Sequence, residues 1–135
     1  MLLPTTLSAG SKTQQLRQKL DNLLEQRNAL IDNKNLTTSE NTLKRLQTYE
    51  QLFEEYYVFQ FDSAMTYLNK GIKLAKETQN TYYYNSNTIS KAELLSIGGL
   101  YNEAIHEIEQ VDTTVLDKAQ HFEYYFSLFR IHTYW

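Results

Sequence analysis

The sequence has few of the residues that interrupt helices or build reactive sites. It has no cysteine, one proline and four glycines among 135 residues. Without cysteine there is no disulfide framework, no thiol nucleophile and no thiolate metal site. Because the one proline is Pro4 and glycine is sparse, long helices can run through most of the chain.

Charge and hydropathy exclude two further classes of protein. The formal net charge is −3, and lysine and arginine are spread along the chain rather than gathered into the basic stripe of a nucleic-acid binder. No apolar run approaches the roughly 18 residues that span a bilayer. A content of 41% hydrophobic and 21% charged residues is typical of one folded domain. We therefore expect no nucleic-acid partner and no membrane span in this chain.

The opening segment, residues 1–12, has two interpretations. It starts apolar and continues with small residues around Ser8 and Ala9, as at the end of a secretory signal peptide, but the basic region and most of the apolar region of such a signal are missing. It is therefore either a signal-peptide remnant or a disordered start. A single helical domain is expected over residues 13–135.

Apolar periodicity predicts about six helices and no strand. The first is expected to begin near Ser11 to Thr13. Asp62 and Asn102 are predicted N-caps of the third and fifth helices, and Asp112 or Thr113 is predicted to open the sixth. The expected fold class is all-α.

An internal repeat is the most informative feature of the sequence. Phe61-Asp62-Ser63-Ala64-Met65 and Tyr101-Asn102-Glu103-Ala104-Ile105 share one pattern, with a period of 40 residues from Ala64 to Ala104. The aromatic residue is expected to close a turn, and the alanine to lie where two helices approach closely. A single helical hairpin cannot bury both faces, so the repeat predicts stacked hairpins, and the apolar periodicity places a long first helix before them. The repeat-defining residues are Phe61, Asp62, Ala64, Ala92, Gly99, Tyr101, Asn102 and Ala104.

Several of these residues, Ala92, Gly99, Tyr101 and Ala104 among them, resemble the tetratricopeptide motif, although the period exceeds the usual one of about 34 residues. The resemblance implies a tetratricopeptide-like α-solenoid, in which the first helices of successive hairpins line a concave groove.

Longer strings carry a closer resemblance. Phe59-Gln60-Phe61-Asp62-Ser63-Ala64 and Gly98-Gly99-Leu100-Tyr101-Asn102-Glu103-Ala104-Ile105 are similar to the N-terminal sensor domain of a family of bacterial membrane-anchored transcriptional regulators, over most of residues 13–134. Members carry a signal peptide before the hairpins, and a membrane helix, a coiled coil and a cytoplasmic output module after them. The resemblance implies a sensor domain in the periplasm or cell envelope, with the cytoplasm as the alternative, that feeds transcriptional control of nutrient uptake.

The predicted function is binding by the concave groove, and three versions of it stay open. The groove recognises a protein or peptide segment, or its tyrosines stack on a glycan or similar nutrient, or the domain only dimerises. The motif places the following residues in the groove: Tyr49, Glu50, Phe53, Tyr56, Ser86, Ser90 and Glu93.

The sequence offers no catalytic signature. His106, His121 and His132 are not spaced to share one helix turn, and no nucleophile, phosphate-binding or metal motif occurs. We expect no enzymatic activity, no metal and no cofactor.

The last helix is apolar on nearly every side between Phe122 and Trp135. Such a helix favours burial all round. We expect either that the chain is a piece of a longer solenoid, truncated at its C-terminal end, or that a second copy covers this helix in a homodimer.

Overall fold

The computed structural model describes residues 4–32, 38–57 and 60–134. Within these ranges it contains six α-helices, one 3-10 turn and no strand, which confirms the all-α prediction. The elements are α1 (Pro4–Asp32), α2 (Thr38–Tyr57), α3 (Phe61–Glu77), α4 (Thr81–Ile97), α5 (Tyr101–Ile108), a 3-10 turn (Thr113–Val115) and α6 (Lys118–Tyr134).

The helices form stacked antiparallel hairpins. α2 pairs with α3, and α4 pairs with α5. α3 also packs against α4, which joins the two hairpins, and α6 packs against α4 and α5. The long helix α1 precedes the hairpins and packs against α2. Short connections such as residues 78–80 force consecutive helices to lie side by side, so the predicted solenoid follows from loop length and apolar faces together.

The first helix starts earlier than the sequence suggests. The prediction near Ser11 to Thr13 is wrong, because α1 begins at Pro4. Proline is tolerated in a first helical turn, since its missing N–H would have no intrahelical acceptor there. That the segment is a signal-peptide remnant stays a prediction. Residues 33–37, between α1 and α2, lie outside the described residues.

Two predicted helix caps are wrong. Asp62 and Asn102 are already inside α3 and α5, each as the second helical residue. The N-cap positions are held by Gln60 and Leu100, and neither side chain caps its helix with a hydrogen bond. The aromatic residue before each polar residue adopts the helical conformation first, so Asp62 acts as a negative charge in the first turn rather than as a cap.

The sixth helix also begins differently. Asp112 caps only the 3-10 turn, through a hydrogen bond from the Thr114 N–H at 3.0 Å. α6 starts with a reciprocal capping box: the Gln120 N–H donates to Asp117 Oδ1 at 2.8 Å, and the Asp117 N–H donates to Gln120 Oε1 at 3.1 Å. Asp117, five positions after Asp112, is therefore the residue at which α6 is capped.

The repeat alanines occupy the tightest packing positions. Ala64, Ala92 and Ala104 are each 0% exposed. Ala64 packs with Leu68 and Leu94, which links the first hairpin to α4. Ala92 and Ala104 share a second core cluster with Leu95, Ile108 and Ile131, which joins α4, α5 and α6.

The turn between α4 and α5 requires glycine. Gly99 has a φ of +80°, in the left-handed region that other residues rarely adopt. A Cβ on Gly98 would lie 3.2 Å from Cε2 of Phe61. Phe61 therefore packs against the turn of the following hairpin.

A buried amide fixes the segment between α5 and α6. Asn85 is 1% exposed, and its side chain donates to the Asp112 carbonyl at 3.4 Å and accepts from the Asp112 N–H at 3.3 Å. The side chain satisfies a backbone N–H and C=O at once, as a neighbouring peptide would. This contact holds the loop on α4 and so helps to place α6.

Candidate binding groove

Helices α2, α4 and α6 line one hollow of about 140 Å³, which we call the groove. It lies between α2 and α6, with α4 as its floor. Because α2 and α4 are the first helices of the two hairpins and α6 follows the second hairpin, the groove occupies the place that the tetratricopeptide-like architecture predicts. The described residues that line it are Glu50, Phe53, Glu54, Tyr82, Ser86, Asn87, Ser90, Ala119, Gln120 and Glu123.

Four of the predicted groove residues lie in it. Glu50 and Phe53 come from α2, and Ser86 and Ser90 from α4. These pairs are spaced by three or four residues, so each pair lies on one helix face.

Tyr49 and Tyr56, also predicted for the groove, pack into the core instead. The Tyr56 ring stacks on Tyr67 of α3 with 5.6 Å between centroids, and Tyr49 lies 6.2 Å from the same ring. The Tyr49 hydroxyl accepts a hydrogen bond from Arg45 at 3.3 Å. Tyr49 and Tyr56 are seven residues apart and share the face of α2 that meets α3. Phe53, four residues after Tyr49 and three before Tyr56, packs on the same core cluster and reaches the groove from the edge of this face.

The last predicted groove residue, Glu93, is held beside the groove by an ion pair. Arg130 Nη1 of α6 donates to Glu93 Oε1 at 2.7 Å, and both side chains are 30% exposed. The pair ties α6 to α4. Glu93 is therefore neutralised locally rather than presented as a free carboxylate.

The sequence analysis missed the contribution of α6 to the groove. Gln120, 2% exposed, donates through Nε2 to the Tyr82 carbonyl at 3.0 Å and to Ser86 Oγ at 2.7 Å. Glu123 follows one turn later on the same wall. The spacing Asp117-Lys118-Ala119-Gln120 is the signal that could have set the register of α6.

The groove is electrostatically negative. Burial, and then the nearby carboxylates of Glu54 and Glu123, raise the pKa of Glu50 above its usual 4.5. Burial, followed by Glu93 and Asp117, raises the pKa of Glu123 in the same way. These shifts mean that the ionised groove carboxylates repel one another and lack solvent.

None of the described lining residues is basic, so a cation that enters the groove meets uncompensated carboxylates. Within the ranges that the structure describes, no three histidine, aspartate or glutamate side chains are grouped to hold a metal ion. The arrangement suits an ammonium or guanidinium group, which carries its own hydrogen-bond donors.

A larger hollow of about 540 Å³ lies along α1, but its described lining belongs to that helix alone, beside Leu16 and Lys19. One helix supplies no opposite wall, so we do not consider it a binding site. In the described ranges, none of the helices combines the length and the apolar character that crossing a bilayer requires.

The stacked hairpins and the groove on their first helices define a tetratricopeptide-like helical-repeat domain. A family model described as the SusR N-terminal TPR domain matches residues 14–135. The chain therefore belongs to the SusR N-terminal tetratricopeptide domain family, which confirms the resemblance to a regulator's sensor domain. No curated protein and no solved structure matches the chain.

Proposed function

We propose that this domain is a non-catalytic binding module that acts as the sensor or scaffold part of a bacterial envelope regulator. The family membership supports a role in protein interaction or sensing. A location in the periplasm or envelope, and an output to transcription, are parts of the same proposal and rest on the family resemblance.

The ligand we propose is an extended protein or peptide segment that presents lysine or arginine to the groove. The observation that carries this choice is the pair of carboxylates in the groove, Glu50, which is half-buried, and Glu123, which lies on the wall. Both have raised pKa values, and none of the described lining residues is basic. A cation would relieve their mutual repulsion, so it binds with a favourable electrostatic contribution.

The size of the groove favours a side chain over a whole small molecule. Ligand pockets for small molecules usually measure about 300–1,000 Å³, whereas the groove has about 140 Å³. One long basic side chain fits this space while the rest of its peptide lies along α2 and α6. A glycan sensor with tyrosines stacked on a sugar is less well supported, because Tyr82 is the one tyrosine among the described lining residues.

A direct test compares two labelled peptides by fluorescence anisotropy. One alternates lysine and alanine, and the other alternates glutamate and alanine. We expect the basic peptide to bind and the acidic one not to bind. The double variant Glu50→Gln with Glu123→Gln should weaken binding of the basic peptide roughly tenfold or more, since each lost charge-assisted contact costs on the order of 1 kcal/mol.

The matched control is Glu77→Gln, because Glu77 lies on α3, outside the groove, in an exposed pair with Lys73. It removes one negative charge and should leave the affinity unchanged. Equal binding of both peptides, or an unchanged affinity in the double variant with a native circular dichroism spectrum, would show that the groove does not select cations.

A further inference from the structure

One face of α6 presents a row of aromatic side chains to solvent. The exposed fractions are 70% for Phe122, 61% for Tyr125, 46% for Phe126 and 65% for Phe129. The opposite face is buried against α4 and α5 through residues such as Ile131. From its sequence, α6 was expected to be apolar on nearly every side. In the structure, one face of α6 is covered by α4 and α5, and the other is open to solvent.

The open face has the spacing of a coiled-coil seam. Ala119, Phe122, Phe126, Phe129 and Thr133 follow one another at intervals of three, four, three and four residues, and all are exposed. This is the a/d pattern by which one helix packs lengthwise against another. We call these five residues the seam.

The seam is ordered before any partner arrives. The rings of Phe122 and Phe126 stack with 6.0 Å between centroids and an interplanar angle of 12°. The Arg130 guanidinium lies over the Phe126 ring at 5.7 Å and is itself fixed by Glu93. Side chains that are already held lose little conformational freedom on association.

We propose that the seam is a homodimer interface, in which α6 of a second copy packs antiparallel along it. The dimer requires no particular groove ligand, although Glu123 of the groove wall also lies on the edge of the seam. Charge selects the partner and the register: Glu123 and Arg130 are seven residues apart on the same edge of the seam. In an antiparallel pair with Phe126 beside Phe129 of the second copy, each Glu123 meets the other copy's Arg130, which keeps its contact with Glu93, twice by symmetry. The opposed helix dipoles favour the same orientation.

The exposed area predicts a weak dimer. Aromatic side chains bury about 150–250 Å² each when fully covered. The three partly exposed rings of the seam and the neighbouring Tyr125 therefore offer roughly 500 Å² per copy and about 1,000 Å² in a pair. That lies at the lower end of specific interfaces. We expect a dissociation constant on the order of 10 μM.

Sedimentation equilibrium of the whole chain tests the dimer. Wild type should associate, and Phe126→Glu should raise the dissociation constant at least about tenfold, because it places a charge in the apolar seam. Val115→Glu is the control, since Val115 is 55% exposed but lies outside α6, and it should associate like wild type. The proposal is overturned if wild type stays monomeric at a protein concentration ten times the expected dissociation constant, or if Phe126→Glu associates as strongly as wild type.

Disulfide cross-linking tests the antiparallel orientation of the two α6 helices. Because the chain has no native cysteine, only the introduced cysteines can form disulfides. In the proposed register, Phe122 lies beside Thr133 of the second copy. Mixed Phe122→Cys and Thr133→Cys chains should therefore form a disulfide-linked heterodimer, and neither variant alone should form one. Cross-linking within each single variant would indicate a parallel pair, and no cross-link in any sample would exclude this register. Either result refutes the antiparallel seam.

Discussion

Glu50 connects the chemistry of the groove to the stability of the fold. Glu50 lines the groove. Burial is the largest cause of the raised pKa of Tyr83, and the Glu50 carboxylate raises it further. An ionised Glu50 therefore has unfavourable neighbours in the folded state. A domain that kept it only for packing would be more stable with a neutral side chain.

The first prediction concerns the pH dependence that Glu50 produces. Its folded pKa lies above the usual 4.5, so the folded state holds a proton that the unfolded state has released. This contribution to stability is complete below the unfolded pKa and is lost as the pH rises through the folded pKa. We expect Glu50→Gln to be more stable than wild type at neutral pH, with the difference shrinking as the pH falls to 4. Urea unfolding at several pH values measures it.

Glu109→Gln is the control for this series, because Glu109 is the exposed C-cap residue that follows α5. Its stability difference from wild type should not change over the same range. A Glu50→Gln variant that loses stability at neutral pH would mean that ionised Glu50 has a stabilising partner in the fold.

At the residue scale, the sequence predicted side-chain type better than side-chain direction. Glu50 and Phe53 were expected in the groove and line it, whereas Tyr49 and Tyr56 were expected beside them and pack against Tyr67. Phe53 also packs on the cluster of Tyr49 and Tyr67, so it lies at the boundary between the core face of α2 and the groove. Only the position of α3 decides which face is the core, and that is a tertiary property.

At the scale of the helices, one side chain contributes both to the start of α6 and to its attachment to α4. Gln120 completes the capping box with Asp117 and also bonds to Tyr82 and Ser86 on α4. It therefore fixes both where α6 begins and how it sits on α4. A capping residue usually contributes about 1 kcal/mol, and the two bonds to α4 add to that.

We predict that Gln120→Glu destabilises the domain by about 2–3 kcal/mol. The substitution keeps the size of the side chain but replaces the Nε2 donor by an oxygen that faces the Tyr82 carbonyl and lacks a hydrogen for it. Asp117→Ala, which removes one cap contact, should cost about 1 kcal/mol. Thermal and urea unfolding would measure both variants.

Gln110→Glu is the matched control, because the Gln110 amide donates to the His106 carbonyl on the exposed side of α5. It should change stability by less than about 0.5 kcal/mol. If Gln120→Glu were as mild as this control, the bonds between α6 and α4 would not hold the helix in place.

Element boundaries were predictable where one signal stood alone. Gly98 and Gly99 follow the last residue of α4, as a glycine pair indicates, and Asn80 caps its start with a hydrogen bond from the Tyr83 N–H at 3.1 Å. They were not predictable where two signals competed. Asp112 and Asp117 are both plausible caps, and the sequence alone does not show that the first serves a 3-10 turn.

At the scale of the whole molecule, the domain is a series of neighbour contacts. α2, α3, α4 and α5 each pack against the next helix, and α4 also holds α6. The repeat predicted this series, because stacked hairpins stabilise one another mainly through adjacent interfaces. The repeat carried no information on α1, which precedes it. α1 packs through Leu20, Leu23 and Leu24 onto a cluster that includes Leu52, and Lys19 pairs with Glu55 at 3.0 Å.

The last prediction follows from the packing of α1 against α2. The three leucines of α1 are only half-buried, and Lys19 is 66% exposed, so its ion pair contributes little. We expect α1 to open locally at a lower free energy than the hairpins unfold, and its amides to lose native-state hydrogen-exchange protection first.

Two side-chain substitutions distinguish local opening of α1 from global unfolding of the domain. Leu24→Ala should speed exchange in α1 and leave α4 almost unchanged, because only the α1–α2 contact weakens. Leu68→Ala, in the core between α3 and α4 and 1% exposed, should cost about 2–5 kcal/mol and speed exchange across α2 to α6. The exchange of α1 would then stay at its local rate as long as global unfolding remains the rarer event. If Leu24→Ala instead speeds exchange in α4 as much as in α1, the long helix is an integral part of one cooperative unit, and the neighbour-by-neighbour account of stability fails at its N-terminal end.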